Sequence, residues 1–161
     1  MSNSNYLLVK DKVQRFAKQL FNVVELNDDG SLSIPYESTH LFVETYDVTS
    51  DDAGFNSFKR ENDLSFTAIS VWAMVLLEVK PSTEVFKWIA LEGQTFDYGG
   101  FKAVEREDGT LNLVFRTSLP GDNLDAGELK EAQLAVASVA DGHDEELKAR
   151  FGGQTVANIR N

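Results

Sequence analysis

The segment from Phe66 to Val79 constrains this chain most: fourteen residues whose one charge is Glu78, rich in β-branched and large apolar side chains. Such a run suits a strand, because branched side chains pack well on a pleated surface, although a short apolar stretch also fits a buried helix. Read as an unbulged strand, one face carries Thr67, Ile69, Val71, Ala73, Val75, Leu77 and Val79, an apolar row suited to lie under helices. The other face carries Phe66, Ala68, Ser70, Trp72, Met74, Leu76 and Glu78. It is too apolar to leave to water and less uniform than the first, so it suits either a strand buried on both sides or contact with a partner.

Helices to cover such a strand lie at both ends of the chain. Val9, Val13, Phe16, Ala17 and Leu20 fall on one helical face and Lys10, Asp11, Lys12, Arg15 and Lys18 on the other, with Ser4 or Asn5 placed as cap. Near the other end, Asp125 and Glu128 have the spacing of a capping box, with Leu124 and Leu129 as its staple. The helix they open carries Leu129, Ala132, Val136, Val139, Ala140, His143, Leu147 and Phe151 at steps of three or four and stops at Gly152-Gly153. Residues 154–161 read as a flexible tail.

Between these helices, Asn27 to Gly30 is a turn, and Ser31 to Tyr36 alternates as a strand in which Pro35 suits an edge. His40 to Val48 reads as a second strand, and residues 50–63 as a long loop without periodicity. Pro81-Ser82-Thr83 ends the strand of Phe66 to Val79 and opens a short helix, capped by Ser82, striped by Val85, Trp88 and Ile89, and ended by Gly93. Asp108-Gly109 is the favoured pair for a two-residue hairpin turn, which sets Val104 opposite Leu113, Lys102 opposite Phe115 and Arg106 opposite Leu111. The other face of that hairpin then pairs Ala103 with Val114, Phe101 with Arg116 and Glu105 with Asn112.

The composition narrows the function. With 161 residues, one domain is expected, spanning 1–153 ahead of the tail. A formal charge of −11 repels phosphate backbones and anionic membrane, which leaves nucleic acid and membrane as poor partners. The absence of cysteine removes disulfides, thiolate metal sites and a thiol nucleophile. The first residues carry no basic, apolar leader pattern, and the longest uninterrupted apolar stretch, Val71 to Leu77, is seven residues, so a cytoplasmic protein is expected.

Catalytic punctuation is missing too: no nucleophile elbow, phosphate loop, dinucleotide fingerprint or zinc-protease motif occurs. Asp47 to Phe58 has the outline of a calcium loop, but Asp52 stands where glycine is required and Phe58 where the bidentate glutamate belongs. His143 has acids nearby yet falls on the apolar stripe of its helix, as a packing histidine does. No enzyme activity, cofactor or metal is expected.

The order helix, three strands, helix, two strands, helix in a small acidic chain resembles the class I type III secretion chaperones and the YbjN-like bacterial proteins that share their fold. The likeness spans residues 5–151, and its most recognisable parts are Thr117-Ser118-Leu119-Pro120-Gly121-Asp122-Asn123-Leu124 and Asp141 to Gly153. It implies an α+β domain with a mostly antiparallel twisted sheet packed by the first and last helices. It also implies a non-enzymatic homodimer that holds an extended segment of a client protein. On that reading the client surface is Phe66, Trp72, Met74 and Leu76 with Phe101 and Val114, and the dimer interface Val85, Trp88, Ile89 and Phe96. The two surfaces could be exchanged, and the alternative function is a regulatory or sensory scaffold that uses the same surface for oligomerisation.

Overall fold

A computed structural model describes residues 4–159, arranged as an α+β domain around one six-stranded antiparallel sheet. In chain order the elements are α1 (Ser4–Leu20), β1 (Glu25–Leu26), β2 (Leu32–Tyr36), β3 (Thr39–Asp47), α2 (Ala53–Glu61), β4 (Thr67–Val79), α3 (Thr83–Leu91), β5 (Gly100–Glu105), β6 (Leu111–Pro120), α4 (Ala126–Phe151) and the short α5 (Val156–Ile159). A 3-10 turn, Glu92–Gln94, follows α3. The strands lie in the order β1-β2-β3-β4-β6-β5, so the long apolar strand β4 is central.

One face of the sheet is dry. Val9, Val13 and Ala17 of α1 and Leu129, Val136, Ala140 and Leu147 of α4 close over Leu41, Val43, Ile69, Val71, Ala73, Leu113 and Phe115 in a single core. Both terminal helices thus pack as their periodicity predicts, and α4 carries the complete capping box of Asp125 and Glu128. Of the two candidate caps of α1, Ser4 begins the helix and Asn5 lies inside it, its side chain bonded to Asp122. Pro35 sits beyond the reach of β1, which pairs only with Leu32 and Ser33, so its missing N–H breaks no ladder bond.

Four sequence readings are corrected here. Residues 50–63 are not a structureless loop: Asp52 caps α2 by accepting from Gly54 N at 2.8 Å and Phe55 N at 3.2 Å. The anchor of this helix is a buried lysine, which apolar periodicity does not register. Lys59 Nζ donates to Val48 O at 2.9 Å and Ser65 O at 3.0 Å, between the rings of Phe55 and Phe66.

Second, β4 is bulged: its register to β6 shifts between Met74 and Leu76 and again before Val79, so Val75 and Leu76 are both buried. Leu77, read as part of the apolar row, is instead half-buried and bridges to Gln154. Third, that same bridge removes the flexible tail over the described residues, since Leu77 N donates to Gln154 O, Gln154 N donates to Leu77 O, both at 2.8 Å, and Thr155 is fully buried. Residues 160–161 of that segment lie outside the described residues.

Fourth, the hairpin register is one residue from the expected one. Phe101 pairs with Phe115, Lys102 with Val114 and Val104 with Asn112. A two-residue turn needs positive φ at both Asp108 and Gly109, and only Gly109, at 78°, has it. Arg106 N instead donates to Thr110 O at 2.9 Å across a three-residue loop, while Asp108 Oδ1 accepts from Thr110 N and Oγ1. Because side chains alternate, this single-residue slip sends Phe101 and Phe115 into the core and Lys102, Val104, Val114 and Arg116 to the opposite face.

Candidate functional site on the uncovered sheet face

On the second face of the sheet lies a concavity lined by strand residues alone. The centre of that face is built on register: Phe42 of β3 lies opposite Trp72 of β4, and Met74 opposite Val114 of β6. The Phe42 and Trp72 rings stack with centroids 4.3 Å apart, and the indole Nε1–H donates to Glu44 Oε1 at 2.9 Å. That bond and the stacking together fix the indole's orientation. Val114 is 6% exposed yet belongs to no part of the helix-side core, so its shelter comes from this face alone.

Around this centre Glu44, Trp72, Met74, Lys102, Val104, Asn112, Val114 and Arg116 line the concavity, of 270 Å3. Its polar atoms are unusual. Among the described residues, Asn112 Oδ1 and Arg116 Nε of this lining are buried without a hydrogen-bond partner, as is Ser70 Oγ beneath the same face of β4. A buried polar atom without a partner costs about 1–3 kcal/mol, so a ligand that supplies one gains by it.

The structure brings together three of the six residues expected at a client surface, Trp72, Met74 and Val114. It places Phe101 and Leu76 in the core at 0% exposure, the first because of the hairpin register and the second because of the bulge. Phe66 is half-buried at the far end of β4, in a separate hollow with Lys59, Arg60, Asp63, Leu64, Asp122 and Asn123. Of the residues expected at a dimer interface, Val85 and Trp88 are buried in their own chain, Trp88 edge-on to Phe101 and Phe151, and Ile89 and Phe96 are partly buried against the same core. His143 packs against Phe96 and Phe101 with its Nδ1 2.9 Å from Val139 O, a packing role.

Sequence reasoning missed Phe42, Glu44, Lys102, Asn112 and Arg116 as site residues. The alternation of β3 separates Phe42 and Glu44 from Leu41 and Val43, but only pairing with β4 says what they meet. Lys102 was hidden by the turn geometry, whereas Arg116 already shared the face of Val114 in the expected register.

Three aspartates, Asp29, Asp47 and Asp108, are held below the ordinary carboxylate range by hydrogen bonds from Ser31, Thr49 and Thr110 respectively, and serve turns rather than this face. Among the described residues no cluster of histidine and carboxylate side chains is suited to a metal ion, and no helix is long and apolar enough to cross a membrane.

The α+β fold, with its six-stranded antiparallel sheet, matches that of type III secretion chaperones. Two solved structures share it: the HopA1–SchA chaperone–effector complex, 16% identical with a TM-score of 0.56 over 90% of this chain and 99% of that one, and a Yersinia pestis chaperone. The latter is the type III secretion chaperone SycH in complex with a stable fragment of YscM2, 8% identical with a TM-score of 0.51 over 83% of this chain and 98% of that one. No curated protein matches the chain by sequence. Residues 57–159 match the model of the family described as T3SS (YopN, CesT) and YbjN peptide-binding chaperone 1, and the chain belongs to that family.

Proposed function

We propose that this protein holds an extended segment of a client polypeptide on the uncovered sheet face, without catalysis or cofactor. The observation that carries the reading is the pairing, in one concavity, of apolar and aromatic side chains with buried polar atoms that lack partners. A polypeptide supplies what each needs: side chains for the Trp72, Met74, Val104 and Val114 surface, and main-chain N–H groups for Asn112 Oδ1. Methionine and flat aromatic rings adapt to different side chains at little cost, which suits a chaperone. Family membership and the two chaperone complexes of like fold support the same reading.

The expected homodimer belongs to this proposal, with a changed surface. On α3 the residues free to meet a second copy are Phe86, 49% exposed, and Leu91, 60% exposed, rather than the buried Val85 and Trp88. Such a dimer leaves the concavity open, and it accords with a cytoplasmic chaperone of unfolded segments.

The test is selection from a random-peptide library displayed on phage. Extended apolar sequences are expected to enrich on the protein and to lose binding at least tenfold on Trp72→Ser or Met74→Ser, with urea midpoints showing the variants folded. Enrichment of peptides that bind both variants undiminished would refute this site.

A further inference from the structure

We infer that the segment held on this face carries a carboxylate, an Asp or Glu side chain set among apolar residues, docked against Arg116 and Lys102; the inference rests on the peptide-holding reading above. The chain has 26 acidic and 15 basic residues, yet the concavity reverses that balance, with Lys102 and Arg116 against Glu44 alone. Glu44 is already committed to the Trp72 indole.

Three other cations of the fold find partners. Arg106 lies 3.6 Å from Glu78 and 3.7 Å from Asp108, Arg150 is 3.3 Å from both Glu84 and Glu92, and Lys59 donates to two carbonyls. The side chains of Lys102 and Arg116 make no ion pair or hydrogen bond among the described residues, and Arg116 Nε is shut off from solvent without an acceptor.

Geometry makes the two act together. Lys102 faces Val114 and Arg116 follows two residues later on the same face of β6, so the two cations are diagonal neighbours, with Cβ atoms on the order of 7 Å apart and side chains able to converge. A carboxylate between them would accept from the Arg116 guanidinium and the Lys102 ammonium, charge-assisted bonds roughly twice as strong as neutral ones. The rest of the lining, Trp72, Met74, Val104 and Val114, asks for apolar neighbours on either side of that acid. A polyphosphate or nucleic acid does not fit, because the −11 charge of the whole chain opposes a dense polyanion while a single carboxylate feels mainly the two local cations.

Peptides enriched from the same library provide the test. The enriched set is expected to carry Asp or Glu flanked by apolar residues, and a synthetic copy with that acid changed to its amide should bind about tenfold to a hundredfold more weakly by fluorescence polarisation. In the protein carrying both Arg116→Gln and Lys102→Gln the acid and amide peptides should bind alike, whereas Arg116→Lys should keep a preference for the acid. An enriched set without excess acid, or an acid-to-amide penalty that persists in the double variant, overturns the inference and leaves the peptide-holding reading intact. Enriched peptides indifferent to Trp72→Ser overturn both.

Discussion

Replacing Asp122 by alanine tests whether the Leu119-Pro120-Gly121-Asp122 turn is the clamp that joins three elements. Its carboxylate accepts from Phe66 N at 2.9 Å and from the Thr67 hydroxyl at the start of β4, and from Asn5 of α1, just ahead of α4. Ser65 Oγ completes the clamp by accepting from Asp122 N at 2.9 Å and Gly121 N at 3.1 Å while donating to Thr67 O at 2.7 Å. Thr67 is fully buried, so removing its acceptor strands a hydroxyl at a cost of about 1–3 kcal/mol. The half-buried Phe66 amide adds about 0.5–1.5 kcal/mol, for a total of about 2–4 kcal/mol.

With a urea slope of about 2 kcal/mol per molar, this predicts a midpoint lower by about 1–2 M in equilibrium unfolding followed by tryptophan fluorescence. Asp122→Asn keeps one acceptor oxygen and should lose about half as much.

The pH dependence follows from the same contacts. Burial disfavours the charged carboxylate, but the bonds from Phe66, Thr67 and Asn5 outweigh it and hold Asp122 below the ordinary carboxylate range. A lowered folded value means the unfolded chain binds the proton first. The stabilisation is therefore complete above about pH 4, the unfolded value, and is lost as pH falls through the folded one. The gap between wild type and Asp122→Asn should then be constant from pH 7 to pH 5 and narrow towards pH 3. An alanine variant with the wild-type midpoint, or a gap indifferent to pH over that range, would refute the clamp.

Two glycines should fail for opposite reasons. At Gly121 an added Cβ would strike Thr67 and come 3.1 Å from Val9 Cγ1, so Gly121→Ala should cost about 1–3 kcal/mol, and less in a Thr67→Ala background, read from a double-mutant cycle of urea midpoints. At Gly109, with φ of 78° and open space around it, Gly109→Ala should cost about 1–2 kcal/mol through backbone strain and Gly109→Asn less. Lys59→Met should free α2, raising hydrogen exchange and trypsin cleavage at Arg60 while the midpoint of the whole domain moves by about 1 kcal/mol or less; unchanged exchange in α2 would show that Lys59 is not its anchor.

By itself the sequence determined whatever depends on neighbours along the chain. The stripes of α1 and α4, the Asp125–Glu128 capping box, the Ser82 cap and the strand Phe66 to Val79 all follow from periodicity and local hydrogen bonding. These elements in this order were enough to show the likeness to secretion chaperones, and two of the deepest site residues, Trp72 and Met74, were legible because β4 alternates up to Met74.

Tertiary structure decided what depends on parity and on distant partners. One residue in the Asp108-Gly109 turn determines whether Phe101 or Lys102 faces the core, and the two turn geometries differ by only a few hydrogen bonds that no periodicity encodes. The bulge after Met74 buries Leu76 because the register of β6 shifts there, and α2 forms because Lys59 finds the carbonyls of Val48 and Ser65 across its own loop. The concavity itself is a product of pairing: Glu44, Trp72, Val114 and Arg116 come from three strands and meet only where β3, β4 and β6 lie side by side.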